Sequence, residues 1–189
     1  MKFSKSKFAK SRFFKSIGVP AALACASAAL IAVAAQAGGD KIVFPENYAS
    51  GVLYTTVDRS DNKQHRELFV SPPAAIDAAK KGELLPSGTV LTMVQYAAKL
   101  DPQGVPERDA NGRFIKTNVV GYTVMEKRTG WGAEYPDNVR NGEWEYQAFK
   151  ADRTPNTAAN LTGCFNCHKP LGAAPDYLFS YDRLKNASR

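Results

Sequence analysis

The sequence predicts an α+β fold that is rich in β-structure, with a curved antiparallel sheet and a few short helices. Segments of β-branched and aromatic residues recur along the chain, separated by turn residues. The predicted strands are residues 52–57, 67–70, 89–97, 118–127 and 143–149. A predicted helix near the C-terminal end follows the last strand. About 150 residues after the N-terminal segment are enough to bury one core.

The last predicted strand alternates most regularly. In residues 143–149, apolar side chains at 144, 146 and 148 alternate with polar side chains at 143, 145 and 147. A period of two indicates a strand with one face in the core and one face in solvent. A sheet with one solvent-exposed face is typically antiparallel. The alternation therefore predicts that Glu145 and Gln147 face solvent.

The predicted helices begin and end at residues with helix-starting and helix-stopping properties. They are residues 45–48, 74–81 and 157–168. Pro45 suits a first helical turn, and Gly82 ends the second helix. Asn156 or Thr157 is the expected N-cap of the third. The polar segments at residues 58–64 and 100–111 are predicted loops, and residues 130–142 are predicted to form a loop or a short helix.

The first 37 residues have the pattern of an export signal. A basic start is followed by an apolar run at residues 17–35 and the small-x-small sequence Ala35-Gln36-Ala37. Cleavage is expected after Ala37. No Arg-Arg pair is present in this stretch, which favours a general secretory route over a twin-arginine one. The remaining residues 38–189 are expected to form a single domain in the periplasm.

Two other uses of this segment remain open. The apolar run has 19 residues, which is long enough to stay as an N-terminal anchor, although alanine, Pro20 and Ser27 make it a weak membrane span. Lipidation at Cys25 would leave an apolar tail on the mature protein, so Cys25 is expected to be discarded with the signal. In each case the basic end stays inside, and the domain crosses the membrane.

The positive charge of the chain is confined to the signal. The formal net charge is +7, but six of the 25 basic residues lie in the first 15 positions, and residues 1–37 contain no acidic residue. The rest of the chain holds 19 basic and 18 acidic residues. A nucleic-acid-binding function therefore loses its main support.

Cys164-Phe165-Asn166-Cys167-His168 has the C-x-x-C-H spacing at which a c-type haem is attached. Positions i, i+3 and i+4 share one helix face, so the two thiols and the imidazole can meet one flat cofactor. The thiols would form thioethers to the porphyrin vinyl groups, and His168 would bind the iron. The sequence predicts one covalent haem c per chain.

Other uses of this cysteine pair fit less well. Cys164 and Cys167 are the only cysteines after the signal, and in an oxidising compartment such a pair serves as a disulfide, a redox couple or a cofactor anchor. A thioredoxin-like motif would follow an early strand of a βαβ unit. A structural zinc site would need four ligands. No other catalytic constellation is evident.

The second axial position of the iron is not decided by the sequence. The chemically suitable residues are His65, Met93, Met125 and the lysines. His65 lies in the polar run 62–66 and is expected to be a solvated loop residue. Both methionines lie in predicted strands, where methionine usually fills the core. An open sixth position therefore remains, and it would bind small gases or reactive nitrogen species.

The mature chain resembles the cytochrome P-460 family and its close relative cytochrome c′-beta over about residues 41–185. The matching pieces occur in the same order along the chain, and only the haem motif is specific by itself. They are Phe44-Pro45-Glu46-Asn47-Tyr48, Tyr54-Thr55-Thr56-Val57, Arg66-Glu67-Leu68-Phe69-Val70, Gly88-Thr89-Val90, Trp144-Glu145-Tyr146 and residues 164–169. This resemblance implies a β-rich fold, a homodimer and a five-coordinate c-haem.

The resemblance also indicates where this chain departs from the hydroxylamine-oxidising members. There, a lysine on the strand after Gly-Thr-Val is cross-linked to the porphyrin, and the matching position here is Met93. A carboxylate associated with proton transfer falls near Thr123, and the nearest acid, Glu126, is on the opposite side of a strand. Arg66 stands where the family has a basic residue, facing the haem or solvent.

These departures favour a role like that of cytochrome c′-beta. We expect an exported mono-haem cytochrome that binds nitric oxide or similar small ligands, transfers electrons, or does both, with a redox partner protein. The alternatives are a haem enzyme that acts on small nitrogen compounds and an electron carrier with Met93 on the iron.

Overall fold

The computed structural model describes residues 40–188, so the predicted signal of residues 1–37, with Cys25, lies outside the described part of the chain. One antiparallel sheet of five strands follows the chain order, each strand pairing with the next. The strands are β1 (Val52–Arg59), β2 (Gln64–Ser71), β3 (Val90–Ala98), β4 (Lys116–Lys127) and β5 (Trp144–Lys150). The predicted β-rich antiparallel fold is confirmed.

The three α-helices are short and pack on one side of the sheet. They are α1 (Ala74–Lys81), α2 (Leu161–His168) and α3 (Tyr181–Lys185), with 3-10 turns at Tyr48–Ser50 and Lys169–Leu171. Helix α1 has the predicted bounds and ends at Gly82, whose φ of +75° is a left-handed conformation that glycine adopts without strain. Within residues 40–188, no helix is long and apolar enough to cross a membrane.

The C-x-x-C-H sequence lies on α2, which is not the last helix of the chain. Its Phe165 is fully buried, with ring centroids 5.2 Å from Tyr135 and 4.6 Å from Tyr146. Burying a phenylalanine side chain contributes roughly 1.5–3 kcal/mol. This aromatic contact holds α2 against β5 and fixes which helix face remains for a ligand.

Both faces of the sheet are covered. The helices pack on one face, in a core that includes Ile76, Trp144 and Leu184. On the other face, Ile42 and Phe44 of the N-terminal segment pack on a second core. The second core includes Val94, Tyr122, Val124 and Phe149.

The predicted solvent face of β5 is wrong because of this second layer. Glu145 is 1% exposed and Gln147 is 4% exposed. The Glu145 carboxylate accepts hydrogen bonds from the Lys41 ammonium at 3.0 Å and the Tyr135 hydroxyl at 3.0 Å. The alternation in the sequence correctly predicted a strand, but segments distant in the chain supply partners for its polar face.

The helix that carries the motif begins four residues later than predicted. Its N-cap is Asn160, whose Oδ1 accepts a hydrogen bond from the Gly163 N–H at 3.0 Å. Asn156 instead donates its N–H to the Ala148 carbonyl at 2.9 Å, and Pro155 forms a bridge with Phe149. These contacts with β5 keep residues 155–156 out of the helix, although they contain capping residue types.

The prediction of His65 as a solvated loop residue is also wrong. Strand β1 continues to Arg59 and β2 begins at Gln64, which shortens the predicted loop. His65 pairs with Asp58 across the two strands and is 6% exposed. The imidazole Nδ1 lies 2.8 Å from Asp58 Oδ1. A largely buried carboxylate partner, 11% exposed, explains why a polar run can form a strand here.

Candidate functional site

A cavity of about 570 Å³ lies between the helix-covered face of the sheet and α2. This volume is in the range of small-molecule and cofactor sites. The lining residues that carry chemistry or shape are Arg59, Arg66, Leu68, Met93, Thr123, Met125, Tyr146, Cys164, Cys167, His168, Phe179 and Arg183. The cavity thus brings together segments separated by more than 100 residues of sequence.

The sheet forms one wall of the cavity with a line of side chains that crosses three strands. Leu68 on β2 pairs with Met93 on β3, and Met93 pairs with Thr123 on β4. Paired residues project from the same face, so all three point at the cavity. Met125, two residues after Thr123, lines it as well. This wall is mainly apolar, with thioethers and a hydroxyl among its polar atoms.

Helix α2 forms the facing wall. Cys164, Cys167 and His168 all line the cavity, as their i, i+3 and i+4 spacing predicts, and both cysteines are free thiols. Burial raises the pKa of the Cys164 thiol, which favours its protonated form. Two thiols and an imidazole therefore face one apolar space.

The imidazole of His168 is held by a backbone contact. Its Nδ1 lies 2.6 Å from the Tyr177 carbonyl oxygen, which can only accept, so Nδ1 carries the proton and Nε2 is the free lone pair. The rings of Tyr146 and Phe179 flank it, with centroids at 5.2 and 5.0 Å. Burial lowers the pKa of His168, which favours the neutral ring that binds metals.

Asn141, in the loop before β5, holds the backbone of the motif helix by a hydrogen bond. This fully buried side chain donates from Nδ2 to the Phe165 carbonyl and to the Tyr146 hydroxyl, both at 3.0 Å. Lys169, directly after the motif, donates to the Asp137 and Arg140 carbonyls at 2.5 Å. The loop before β5 thus supports the helix that presents the thiols.

Three arginines, Arg59, Arg66 and Arg183, line the cavity, and no acidic side chain of residues 40–188 is among its lining residues. Arg66 donates from Nε and Nη2 to Gln64 Oε1 at 3.0 and 2.9 Å, and burial lowers the pKa of its guanidinium. Arg59 pairs with Asp61 at 2.6 Å. This positive lining suits an anionic group on a bound molecule.

The candidate haem-site residues named from the sequence fall into two groups, those that line the cavity and those that do not. Met93, Met125, Arg66 and the three motif residues line the cavity, whereas His65 does not. Glu126 is also absent from the lining and pairs with Arg128 at 2.6 Å. Among residues 40–188, no lysine lines the cavity.

Some residues of the site were not identified from sequence. The Tyr177 carbonyl and the Phe179 ring contact His168, and Asn141 donates to the backbone of the motif helix. None of the three has a characteristic spacing to the motif. The Trp144-Glu145-Tyr146 match was the only signal for Tyr146.

The donor set fits a covalently attached haem. Two thiols and a neutral imidazole with Nε2 free occupy one wall, the opposite wall is apolar, and arginines are available for the two porphyrin carboxylates. The comparison with family models agrees with a haem site. A family model described as cytochrome P460 matches residues 45–180. No curated protein matches the chain.

Proposed function

The chain belongs to the cytochrome P460 family of c-type haem proteins, and we propose that it is a mono-haem cytochrome exported to the periplasm. The single observation that carries the proposal is the cavity in which Cys164, Cys167 and His168 face Met93 and Thr123. The proposed activity is the binding of nitric oxide or a similar small ligand, with electron transfer as a second use of the same site.

The proposed attachment uses the residues on α2. Cys164 Sγ and Cys167 Sγ would each add to one vinyl group, the thiol proton going to the vinyl carbon that does not bind sulfur. His168 would bind iron through Nε2, while its Nδ1–H stays hydrogen-bonded to the Tyr177 carbonyl, 2.6 Å away. Arg66 and Arg183 would pair with the carboxylates, since both line the cavity and no acidic side chain of the described residues 40–188 lines it with them.

The bound haem would supply a one-electron iron couple and a coordination position for a diatomic molecule. The side chains of Leu68, Met93 and Met125 line the sheet wall of the cavity and would keep water away from a bound iron. Within residues 40–188, His168 is the only histidine that lines the cavity, and lysine is absent from the lining. This supports a five-coordinate iron. The sulfur atoms of Met93 and Met125 are the remaining side-chain donors to test.

Hydroxylamine oxidation of the cytochrome P-460 type is the alternative function, and it is disfavoured. Met93 occupies the position matched to the cross-linking lysine, and a thioether cannot form an amine cross-link. The carboxylate of that chemistry falls near Thr123, and the nearest acid, Glu126, pairs with Arg128 instead of lining the cavity. Neither group that the resemblance associates with that chemistry is available.

The optical spectrum of the purified, reduced protein tests the proposal. We expect an ordinary haem c spectrum of high-spin, five-coordinate ferrous iron that changes on addition of nitric oxide. A strongly red-shifted Soret band would instead indicate the cross-linked chromophore and the enzyme function. A low-spin spectrum would contradict an open position and support electron transfer alone. Light scattering of the same sample tests the proposed homodimer.

A further inference from the structure

We propose that the buried ion pair between Lys127 and Asp176 positions the imidazole ring of His168. The ammonium of Lys127, at the end of β4, lies 2.9 Å from both carboxylate oxygens of Asp176. The two side chains are 7% and 3% exposed. Asp176 immediately precedes Tyr177, whose carbonyl accepts the hydrogen bond from His168 Nδ1. The inference rests on the proposed role of His168 as the iron ligand.

Three separate parts of the fold hold the Asp176 carboxylate. Besides Lys127, the indole N–H of Trp144 on β5 donates to Oδ1 at 3.1 Å. The backbone N–H of Leu85, in the segment before β3, donates to Oδ2 at 2.9 Å. Asp176 therefore accepts four hydrogen-bond contacts, three from side chains of the sheet and one from the Leu85 backbone.

The backbone at this point needs such an anchor. Asp176 and Tyr177 have φ values of +50° and +58°, although neither is glycine. Non-glycine residues in this left-handed region are strained and persist only where the surroundings hold them. The strained pair turns the Tyr177 carbonyl toward His168. The ion pair thus holds the one loop conformation in which that carbonyl can accept from the ring.

The chemical consequence concerns the donor strength of the imidazole. A strong hydrogen bond from Nδ1–H raises the basicity of Nε2 and stabilises oxidised iron. If the loop relaxes, this hydrogen bond lengthens and the reduction potential rises. Asp176 and Lys127 are positioning residues in this sense, since neither lines the cavity.

The test is the reduction potential of the haem-loaded protein and three variants. Lys127→Met with Asp176→Asn removes both charges together, so no buried charge is left unpaired and the net charge is unchanged. We expect the one-electron reduction equilibrium to shift about tenfold toward ferrous iron, a rise of about 59 mV. Trp144→Phe removes one donor, keeps the ion pair, and is the milder variant, with a smaller shift in the same direction.

Asp58→Asn is the matched control. It also removes a largely buried carboxylate from its contacts with basic side chains, here His65, Arg108 and Arg113, and Asp58 does not line the cavity. The control should lose stability and keep the native potential. Native potentials in both the double variant and Trp144→Phe, or an equal rise in the control, would overturn the inference.

Failure of the proposed function has a different signature. If His168→Gly leaves the ferrous spectrum of the native protein unchanged, His168 is not the ligand and the proposed function fails with the inference. If His168→Gly changes the spectrum while the potentials stay the same, only the positioning role is wrong.

Discussion

Met93 on β3 and Thr123 on β4 lie directly opposite each other, and both face the cavity that the motif helix closes. Their Cβ atoms are expected about 4.5–5.5 Å apart, as for any cross-strand pair. In the hydroxylamine-oxidising relatives, the resemblance places a lysine at the position of Met93 and a carboxylate near the position of Thr123. The tertiary structure therefore joins two substitutions, 30 positions apart in sequence, into one altered surface.

The first prediction concerns Thr123. Thr123→Val removes the hydroxyl and preserves the shape, so a hydrogen bond to bound nitric oxide would be lost at about 1 kcal/mol. That energy corresponds to a roughly fivefold weaker Kd, which is measured by titration of the ferrous protein. Thr55→Val, on β1 in the same cavity, is the control and should keep the native Kd. Equal losses in both variants would contradict a specific role for Thr123.

The second prediction concerns the side chains of Met93 and Met125. With an open iron position, Met93→Ala and Met125→Ala should both keep the high-spin ferrous spectrum. Each should lower the free energy of unfolding by about 2 kcal/mol, because both side chains are only partly buried. A change from low spin to high spin in one variant alone would identify that methionine as the ligand. Spectra and denaturant titration of the same samples separate the two effects.

The third prediction concerns covalent attachment. Cys164→Ala combined with Cys167→Ala should abolish haem that survives denaturation, measured by haem staining after denaturing electrophoresis. Asn166→Ala is the control, since this exposed residue lies between the cysteines and does not line the cavity. Haem that stays bound through denaturation in the double variant would rule out the thioether links.

The fourth prediction concerns the start of α2. Asn160→Ala removes the side-chain cap on the Gly163 N–H and should cost about 1 kcal/mol of stability. Thr157→Ala, at the N-cap position expected from sequence, should be nearly neutral because Thr157 is exposed and precedes the helix. Chemical denaturation measures both. A larger loss in Thr157→Ala would favour the longer helix.

The fifth prediction concerns the covered face of β5. Burial raises the pKa of the Glu145 carboxyl, and the hydrogen bond from Lys41 acts in the opposite direction. Lys41→Met should therefore raise this pKa further and destabilise the protein by about 2 kcal/mol at neutral pH.

The sign of the pH effect follows from linkage. A carboxyl whose pKa is higher in the folded state favours folding at low pH, and this advantage is lost as the pH rises above its unfolded value of 4.5. The loss of unfolding free energy in Lys41→Met should thus become smaller below pH 4.5 and larger above it. Lys150→Met, on the exposed last residue of β5, is the control. A deficit that does not change with pH would contradict the pairing with Glu145.

Local patterns predicted the elements well where neighbouring residues decide the structure. The alanine-rich stretch and Gly82 defined α1, and alternation identified β5. The N-cap of α2 was missed because Asn156 bonds to Ala148 instead, a contact that no local pattern encodes. His65 was misplaced for the same reason, since its partner Asp58 lies on another strand.

The sequence by itself determined the thiols, the imidazole and their common helix face, because these depend on spacing within five residues. It also determined the strands, because side-chain alternation is a property of the extended chain. Only the tertiary structure decided that Met93 and Thr123 face the motif, since strand register brings distant residues together. It likewise decided the orientation of His168, which depends on a strained loop that a buried ion pair holds in place.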